Sequence, residues 1–234
     1  MRGLPANSVD LVLADLPYGI TSCRWDSVIP LIPLWAEYRR IVKRGAPIVL
    51  TACQPFTSVL VMSNPSWFRY DLVWEKTTPS GHLNAKRAPL RAHESILVFC
   101  ENAPPYFPQK TSGHPRKVAR NVNRAASPKG IYGAESGVTS YDSTERYPRS
   151  VIRTGTDRQK SRLHPTQKPV ALMEWLIRTY TSNGAVVLDN AMGSGSTGEA
   201  CASTGRHFIG IEQDAVFFAR AERRLQRVLE VDFS

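Results

Sequence analysis

Ala185-Val-Val-Leu-Asp189-Asn-Ala-Met-Gly193-Ser-Gly195-Ser-Thr197 is the stretch whose reading decides the fold. Its first four residues form an apolar run of strand character, and a helix is predicted from Gly195 to Ser203, closed by Gly205. Gly193 and Gly195 therefore sit in a strand-to-helix turn, where backbone amides can approach a ligand closely at a helix N-terminus. A lone Gly-x-Gly says little. Here the next predicted strand, His207–Ile211, delivers Glu212 about twenty residues further on, at the strand end where a carboxylate can accept both ribose hydroxyls of an adenosine. The pair points to a nucleotide-type cofactor in an α/β sheet.

Working outward, apolar residues at helical spacing (Val170, Met173, Leu176, Ile177, Tyr180) predict a helix from Pro169 to Tyr180, and a last helix runs from its cap Asp214 to Leu229. Near the other end, Ser8–Asp15 is a Val/Leu-rich run that suits a strand covered on both faces, stopping at Pro17. An amphipathic helix is predicted from Leu34 to Arg44, with Pro33 at its start and Gly45 past its end. A buried strand at Pro47–Ala52, a short helix at Pro55–Ser63 and strands around Tyr70–Trp74 and Ser95–Cys100 complete an alternation that predicts βαβ units. Trp35, Trp67, Trp74 and Trp175 read as core. From Glu101 to about Leu163 the periodicity disappears into Pro, Gly, Ser, Asn and Arg with scattered tyrosines. A loop-like insertion of that length is either a binding element or a tail between two structured halves.

With 234 residues and 42% hydrophobic content, one substantial core is expected rather than two full catalytic domains. No run of about 18 apolar residues and no charged-then-apolar leader is present, so neither a membrane span nor a secretory signal is expected, and a cytoplasmic location is. Cys23, Cys53, Cys100 and Cys201 lie far apart without metal-ligand spacing, which argues against zinc or a disulfide framework and for small buried or half-buried side chains. The net charge of +10 is unevenly spread: Lys110–Lys168 holds 13 basic and 4 acidic residues, leaving 17 and 16 elsewhere. That asymmetry points to a polyanion acting on one segment.

The sharper chemical signal is Asp15-Leu-Pro-Tyr18, at the C-terminal end of a predicted parallel strand, where α/β sheets place their sites. An aromatic amino group is a poor nucleophile because its lone pair is delocalised into the ring. A carboxylate (Asp15) and a backbone carbonyl fixed by proline (Leu16 or Pro17) can each take one N–H, freeing the lone pair to attack, while Tyr18 stacks on the base. The same residues, read blandly, are a strand-ending turn in which Asp15 caps and Pro17 stops.

Together these residues resemble the amino-methylating DNA methyltransferases, whose catalytic tetrapeptide is Asp/Asn/Ser-Pro-Pro-Tyr and whose cofactor loop is Asp-Pro-Phe-x-Gly-Ser-Gly-Thr-Thr. The order of catalytic motif, variable region, His164-Pro-Thr-Gln-Lys-Pro169 and glycine loop resembles the beta group, and Leu72-Val-Trp-Glu-Lys76 and Arg91-Ala-His-Glu94 look like its later catalytic-half motifs. The resemblance implies a Rossmann-like methyltransferase fold with a mostly parallel, doubly wound sheet. It divides the chain into a catalytic half (1–104), a basic target-recognition insertion (105–163) and a half that binds S-adenosyl-L-methionine (164–234). It implies that Asp15, Pro17 and Tyr18 hold the target amino group. Asp189, Gly193, Ser194, Gly195 and Thr197 surround the cofactor, Glu212 takes its ribose, and Thr166, Gln167 and Lys168 lie near its methionine end. Thr166 as a helix cap and Lys168 as a solvated charge are the plain alternatives. His93 and Glu94 are read as strand-edge polar residues outside the site.

Double-stranded DNA is the implied partner, with the target base flipped out, and no metal or membrane is implied. Relatives of this group are often dimers, so a homodimer is a family expectation. Within the insertion, Lys and Arg would neutralise phosphates and Tyr106, Tyr132, Tyr141 and Tyr147 would stack; a solvated loop with only nonspecific attraction is the alternative. Asp at position 15 favours adenine N6 over cytosine N4, where Ser is more usual. Three departures from the family pattern stand out: Leu16 for Pro, Asn190 and Ala191 for Pro and Phe, and about fourteen residues before Asp15 instead of a further strand with Gly-Asp. They motivate a rival reading, a DNA-binding protein that has lost the cofactor. RNA or a protein glutamine is a further substrate class, and a nicotinamide oxidoreductase is disfavoured by the incomplete Gly-x-Gly-x-x-Gly.

Overall fold

Residues 1–19, 26–123, 137–155 and 167–231 are described by the computed structural model. They form two compact units, 1–107 with 150–234, and 108–149.

The larger unit is built on a seven-stranded sheet. Its strands are β1 (Leu11–Ala14), β2 (Ile48–Ala52), β3 (Phe68–Ser80), β4 (Arg91–Phe99), β7 (Val151–Thr154), β8 (Val186–Asp189) and β9 (His207–Gly210), in the spatial order β7-β3-β4-β2-β1-β8-β9. Pairing is parallel except at β4, which runs against both β2 and β3. The βαβ alternation expected through Cys100 therefore gives way at β3–β4 to an antiparallel pair. No α-helix separates these two strands, and a short connection cannot return the chain parallel to itself.

Alternate residues along each strand enter two separate cores. Val12, Ala14, Ile48, Leu50, Leu97 and Phe99 pack on one face with helices α1 (Leu31–Ile41) and α2 (Phe56–Ser63). Leu11, Leu13, Val49, Ile96, Val98 and Val187 pack on the other with α3 (Val170–Tyr180) and with Ala200 and Cys201 of α4 (Ser196–Ser203). Both faces are covered, which is why these strands read as continuous apolar runs rather than as alternating ones. The last helix, α5 (Ala215–Val231), begins at Asp214, whose Oδ1 accepts the N–H groups of Val216 (2.8 Å) and Phe217 (3.1 Å) as an N-cap. It approaches α4 closely: a Cβ at Gly198 would lie 2.7 Å from Leu225 and 2.8 Å from the Phe208 ring.

Helix α1 starts before the expected Leu34, because Pro33 lies in its first turn, where the missing N–H has no intrahelical partner in any case. It ends at Ile41, three residues short of the expected Arg44, with Val42 already extended. Trp35, Trp67 and Trp74 are buried and Trp175 packs at the margin of the second core. Cys53, Cys100 and Cys201 are buried free thiols, whereas Cys23 lies outside the described residues.

The stretch read as a featureless insertion has structure at both levels. Val151–Thr154, inside the expected insertion 105–163, joins the main sheet at its edge, parallel to β3. The smaller unit is an antiparallel ribbon of β5 (Lys117–Asn123) and β6 (Gly137–Ser143). Below the ribbon, Arg116 makes a bidentate pair with Asp142 (2.7 and 2.6 Å), Lys110 pairs with Glu145 (3.0 Å), and Arg146 donates to the carbonyls of Pro115, Ser143 and Glu145. Three of the basic residues counted in the sequence thus hold the unit together. Lys117, Arg120 and Arg149 are exposed.

Candidate active site

Strands β1 and β8 are neighbours and parallel, so the residues that follow them, Asp15-Leu-Pro-Tyr18 and the glycine turn from Asp189, emerge side by side at the same sheet edge. They line one cavity of about 1440 Å³. Among the residues expected in the site, Asp15, Pro17, Tyr18, Gln167, Lys168, Asp189, Gly193, Ser194, Thr197 and Glu212 all face it. Gly195 does not. It caps α4 with φ 76°, and a Cβ there would sit 3.2 Å from the Cβ of Ala221, so its absent side chain serves helix packing rather than the cavity. Thr166 lies outside the described residues, as do His164 and Pro165.

At the catalytic end, Asp15 is gripped by three donors. Its Oδ1 accepts the Tyr18 hydroxyl (2.5 Å) and the Thr51 hydroxyl (2.5 Å), and its Oδ2 accepts Lys168 Nζ (2.5 Å). A carboxylate offers about four lone-pair positions, so Oδ1 is filled and Oδ2 retains one acceptor direction. Lys168 lines the same cavity, and its ammonium bridges Asp15 and Glu94 Oε2 (3.3 Å), while Glu94 in turn pairs with Lys76. Two carboxylates and two ammonium groups thus form a neutral buried cluster. Burial alone would raise the Glu94 carboxyl, but Lys168 and Lys76 outweigh it and hold it below its ordinary range. Burial opposes charge on Lys168, and Asp15 and Glu94 more than compensate, raising it. Tyr18, buried and beside Asp15 and Glu94, is pushed well above its ordinary value and stays a hydroxyl donor.

Glu94 and Thr51 are the residues that sequence reasoning missed. Thr51 is a polar residue inside the apolar strand Ile48–Ala52, and a buried hydroxyl there needs a partner, which was the available signal. Glu94 faces inward while His93, one residue earlier, is exposed, as strand alternation requires.

At the other end, Glu212 Oε2 accepts the Gly193 N–H (2.9 Å) and Oε1 that of Asp214 (2.9 Å). Each oxygen keeps a lone pair for a diol. Asp189 accepts Thr197 Oγ1 on Oδ2 (2.7 Å) and the Ala191 N–H on Oδ1 (3.0 Å), and burial raises its pKa to about 7. The substitutions in the glycine turn have local compensations. Asn190 Oδ1 accepts the hydroxyl of the fully buried Tyr38 (2.6 Å), and Phe217 of α5 contributes an aromatic ring to the lining. From the same helix Arg224 braces the turn, donating to the Ser194 carbonyl (3.1 Å) and to Glu199 (2.5 Å).

S-adenosyl-L-methionine fits these residues. Glu212 is a carboxylate fixed at a strand end for the ribose diol, the turn beside it is led by Gly193 at φ 51°, and Met192, Ile211 and Phe217 are apolar neighbours for an adenine. The cavity also exceeds the about 300–1,000 Å³ usual for one small ligand, leaving space for a base as well.

A mostly parallel sheet with one reversed strand, carrying an acid-Leu-Pro-Tyr turn and a glycine turn at adjacent strand ends, is the SAM-dependent methyltransferase fold. The chain belongs to the N6_N4_Mtase family, described as DNA methylase, whose model matches residues 9–223. It is 26% identical to the Type II methyltransferase M.HinfI of Haemophilus influenzae over 97% of this chain and 66% of that protein. With M.HpaI of Haemophilus parainfluenzae it shares 24% identity over 96% and 70%. It thus spans about two thirds of these relatives' lengths. Among solved structures, M1.HpyAVI in complex with SAM superposes with a TM-score of 0.64 at 27% identity, covering 96% of this chain and 90% of that one. PvuII DNA methyltransferase (cytosine-N4-specific) shares the fold at TM-score 0.62 and 13% identity, covering 98% and 86%.

Proposed function

We propose that the chain transfers a methyl group from S-adenosyl-L-methionine to the N6 amino group of an adenine flipped out of double-stranded DNA. The observation that carries this reading is the single cavity shared by Asp15, Tyr18, Asp189 and Glu212. Bound at the glycine turn, the cofactor supplies an electrophilic methyl on a sulfonium sulfur. Asp189, Gly193, Ser194, Thr197 and Glu212 would hold it, with Gln167 beside them.

The chain's own work is done at the amino group. Asp15 Oδ2 has one open acceptor position, and a backbone carbonyl of Leu16 or Pro17 can take the second N–H, which draws the nitrogen toward a tetrahedral shape and exposes its lone pair. Lys168 fixes the direction of the Asp15 carboxylate through its contact with Oδ2, so the acid acts as a positioned acceptor. Tyr18 stacks on the base, its ring backed by the buried Phe56 (centroids 5.5 Å apart). Asp at position 15 supports adenine over cytosine, while the basic segment supports a nucleic-acid substrate. Among the described residues of the smaller unit, Lys117, Arg120 and Arg149 are exposed cations that phosphates could reach.

Transfer of labelled methyl from S-adenosyl-L-methionine to plasmid DNA tests the reading. The chain should label DNA and Asp15→Ala should not, and nucleoside digestion should yield N6-methyladenine. Equal labelling by both proteins would remove Asp15 from the chemistry, and N4-methylcytosine would overturn the choice of base. DNA affinity should fall steeply with salt; a flat response would deny the phosphate contacts.

A further inference from the structure

The tip of the β3–β4 hairpin, residues 77–93 with the strand ends and the loop between them, carries Lys86, Arg87 and Arg91 and no acidic side chain. Residues 81–89 are exposed without exception. At the tip a short 3-10 turn, His82–Asn84, presents Leu83 with 102% of its reference surface open to solvent. The turn is ordered by its own hydrogen bonds, Asn84 N–H to the Gly81 carbonyl (2.9 Å) and Arg87 N–H to that of Asn84 (2.8 Å), and Gly81 admits it at φ 93°. The root of the same loop, Thr78–His82 with Arg91, lines the cavity whose floor holds Asp15 and Tyr18. Gly81 and His82 are exposed lining residues, and Leu83 follows directly after them.

A fully solvated leucine in a segment whose only charged side chains are Lys86, Arg87 and Arg91 does not suit an apolar protein partner, which would have to desolvate those cations. It suits a polyanion that becomes apolar inside once opened, and a DNA duplex with one base displaced is such a partner. We infer that this loop is the element that opens the duplex. Lys86, Arg87 and Arg91 hold phosphates beside the target nucleotide, and Leu83 enters the base stack to fill the space that the extruded base vacates. Apolar wedges unstack base steps in this way, and occupying the gap disfavours the base's return. The inference rests on the DNA methyltransferase reading and adds a contact separate from the unit 108–149.

Leu83→Ala separates the two ideas, and the residue's full exposure makes a folding defect an unsuitable explanation for its effect. With the modified sequence read from methylated plasmid, two short duplexes are compared, one with the target base paired and one with it opposite an abasic site, where extrusion needs little work. Leu83→Ala should lower turnover on the paired duplex at least tenfold and leave the abasic-partner duplex within about twofold of the parent chain. Lys86→Gln with Arg87→Gln should weaken binding to both and reduce the salt slope by up to about two. An equal loss on both duplexes, or no loss on the paired one, would overturn the wedge. A parent chain that methylates neither duplex nor plasmid would overturn the methyltransferase reading and the loop's role with it.

Discussion

Glu94→Gln keeps the shape of the side chain and removes one negative charge from the cluster Asp15–Lys168–Glu94–Lys76. The Lys168 and Lys76 side chains are only 8% and 11% exposed, so water cannot take over their stabilisation. At the 3.3 Å between Lys168 and Glu94, an effective dielectric constant of about 20 gives an attraction of roughly 5 kcal/mol. Part of it is offset because Gln still accepts a hydrogen bond, and breaking a buried pair at one partner costs about 3–5 kcal/mol. We expect a loss of about 3 kcal/mol in urea unfolding, or roughly 6–12 °C in melting temperature for a chain of this size. Lys76→Met combined with Glu94→Gln removes one charge of each sign and should recover at least half of the loss. Methyl transfer by Glu94→Gln should slow more than cofactor affinity falls, because Lys168 then leans wholly on Asp15 and competes for its open acceptor position. Stability within about 0.5 kcal/mol of the parent, or a double variant weaker than the single one, would refute the charge-cluster argument.

Asp189 gives a pH signature. Its folded pKa of about 7, lifted by burial, lies above the ordinary carboxylate value, so between about pH 4 and 7 the folded chain binds more protons than the unfolded one and this residue's contribution to stability falls as pH rises. Asp189→Asn should therefore gain stability relative to the parent between pH 5 and pH 8 in urea titrations; a pH-independent difference would count against it. Thr51→Val removes one of the two hydroxyls on Asp15 Oδ1 and should reduce kcat about tenfold with cofactor affinity unchanged by calorimetry, in line with about 1.5–3 kcal/mol for a hydrogen bond to a charged group. Gly210→Ala would press a methyl group onto the Met192 sulfur and the Phe208 ring. Met192 lines the cavity, and its displacement into that space should lower S-adenosyl-L-methionine affinity several-fold while DNA binding persists; unchanged affinity would show that the wall adapts.

Much of the sheet was legible because strands covered on both faces write themselves as Val/Leu runs, and the glycine turn and Asp15-Leu-Pro-Tyr18 stand where those runs stop. The direction of β4 was not legible. Apolar content is the same whichever way a buried strand runs, and only the absence of a helix between Trp74 and Ser95 carried the information. Glu94 escaped because a buried carboxylate looks like a surface one until its counter-charges, 18 and 74 residues away at Lys76 and Lys168, are brought to it by folding. The basic loop at 77–93 was hidden by adding up charge over long segments: the near-neutral total outside Lys110–Lys168 averages a local cluster of cations against acids elsewhere. Lys110, Arg116 and Arg146 were counted with the other cations of that segment for the converse reason: their partners, Glu145, Asp142 and the carbonyls of Pro115, Ser143 and Glu145, lie within the same small unit, and a charge sum does not show pairing.

The pairing of β1 with β8 also governs how the molecule is made. On a ribosome adding ~5–20 residues per second, the strand that carries Asp15 emerges on the order of ten seconds or more before the strand that will cover its flank. Until then the nascent chain shows an unpaired apolar border, the kind of surface that recruits stray strands. Contacts this distant along the chain close slowly. Synthesis at reduced temperature, or with chaperones in excess, should raise the soluble yield more than any change at the surface of the finished protein.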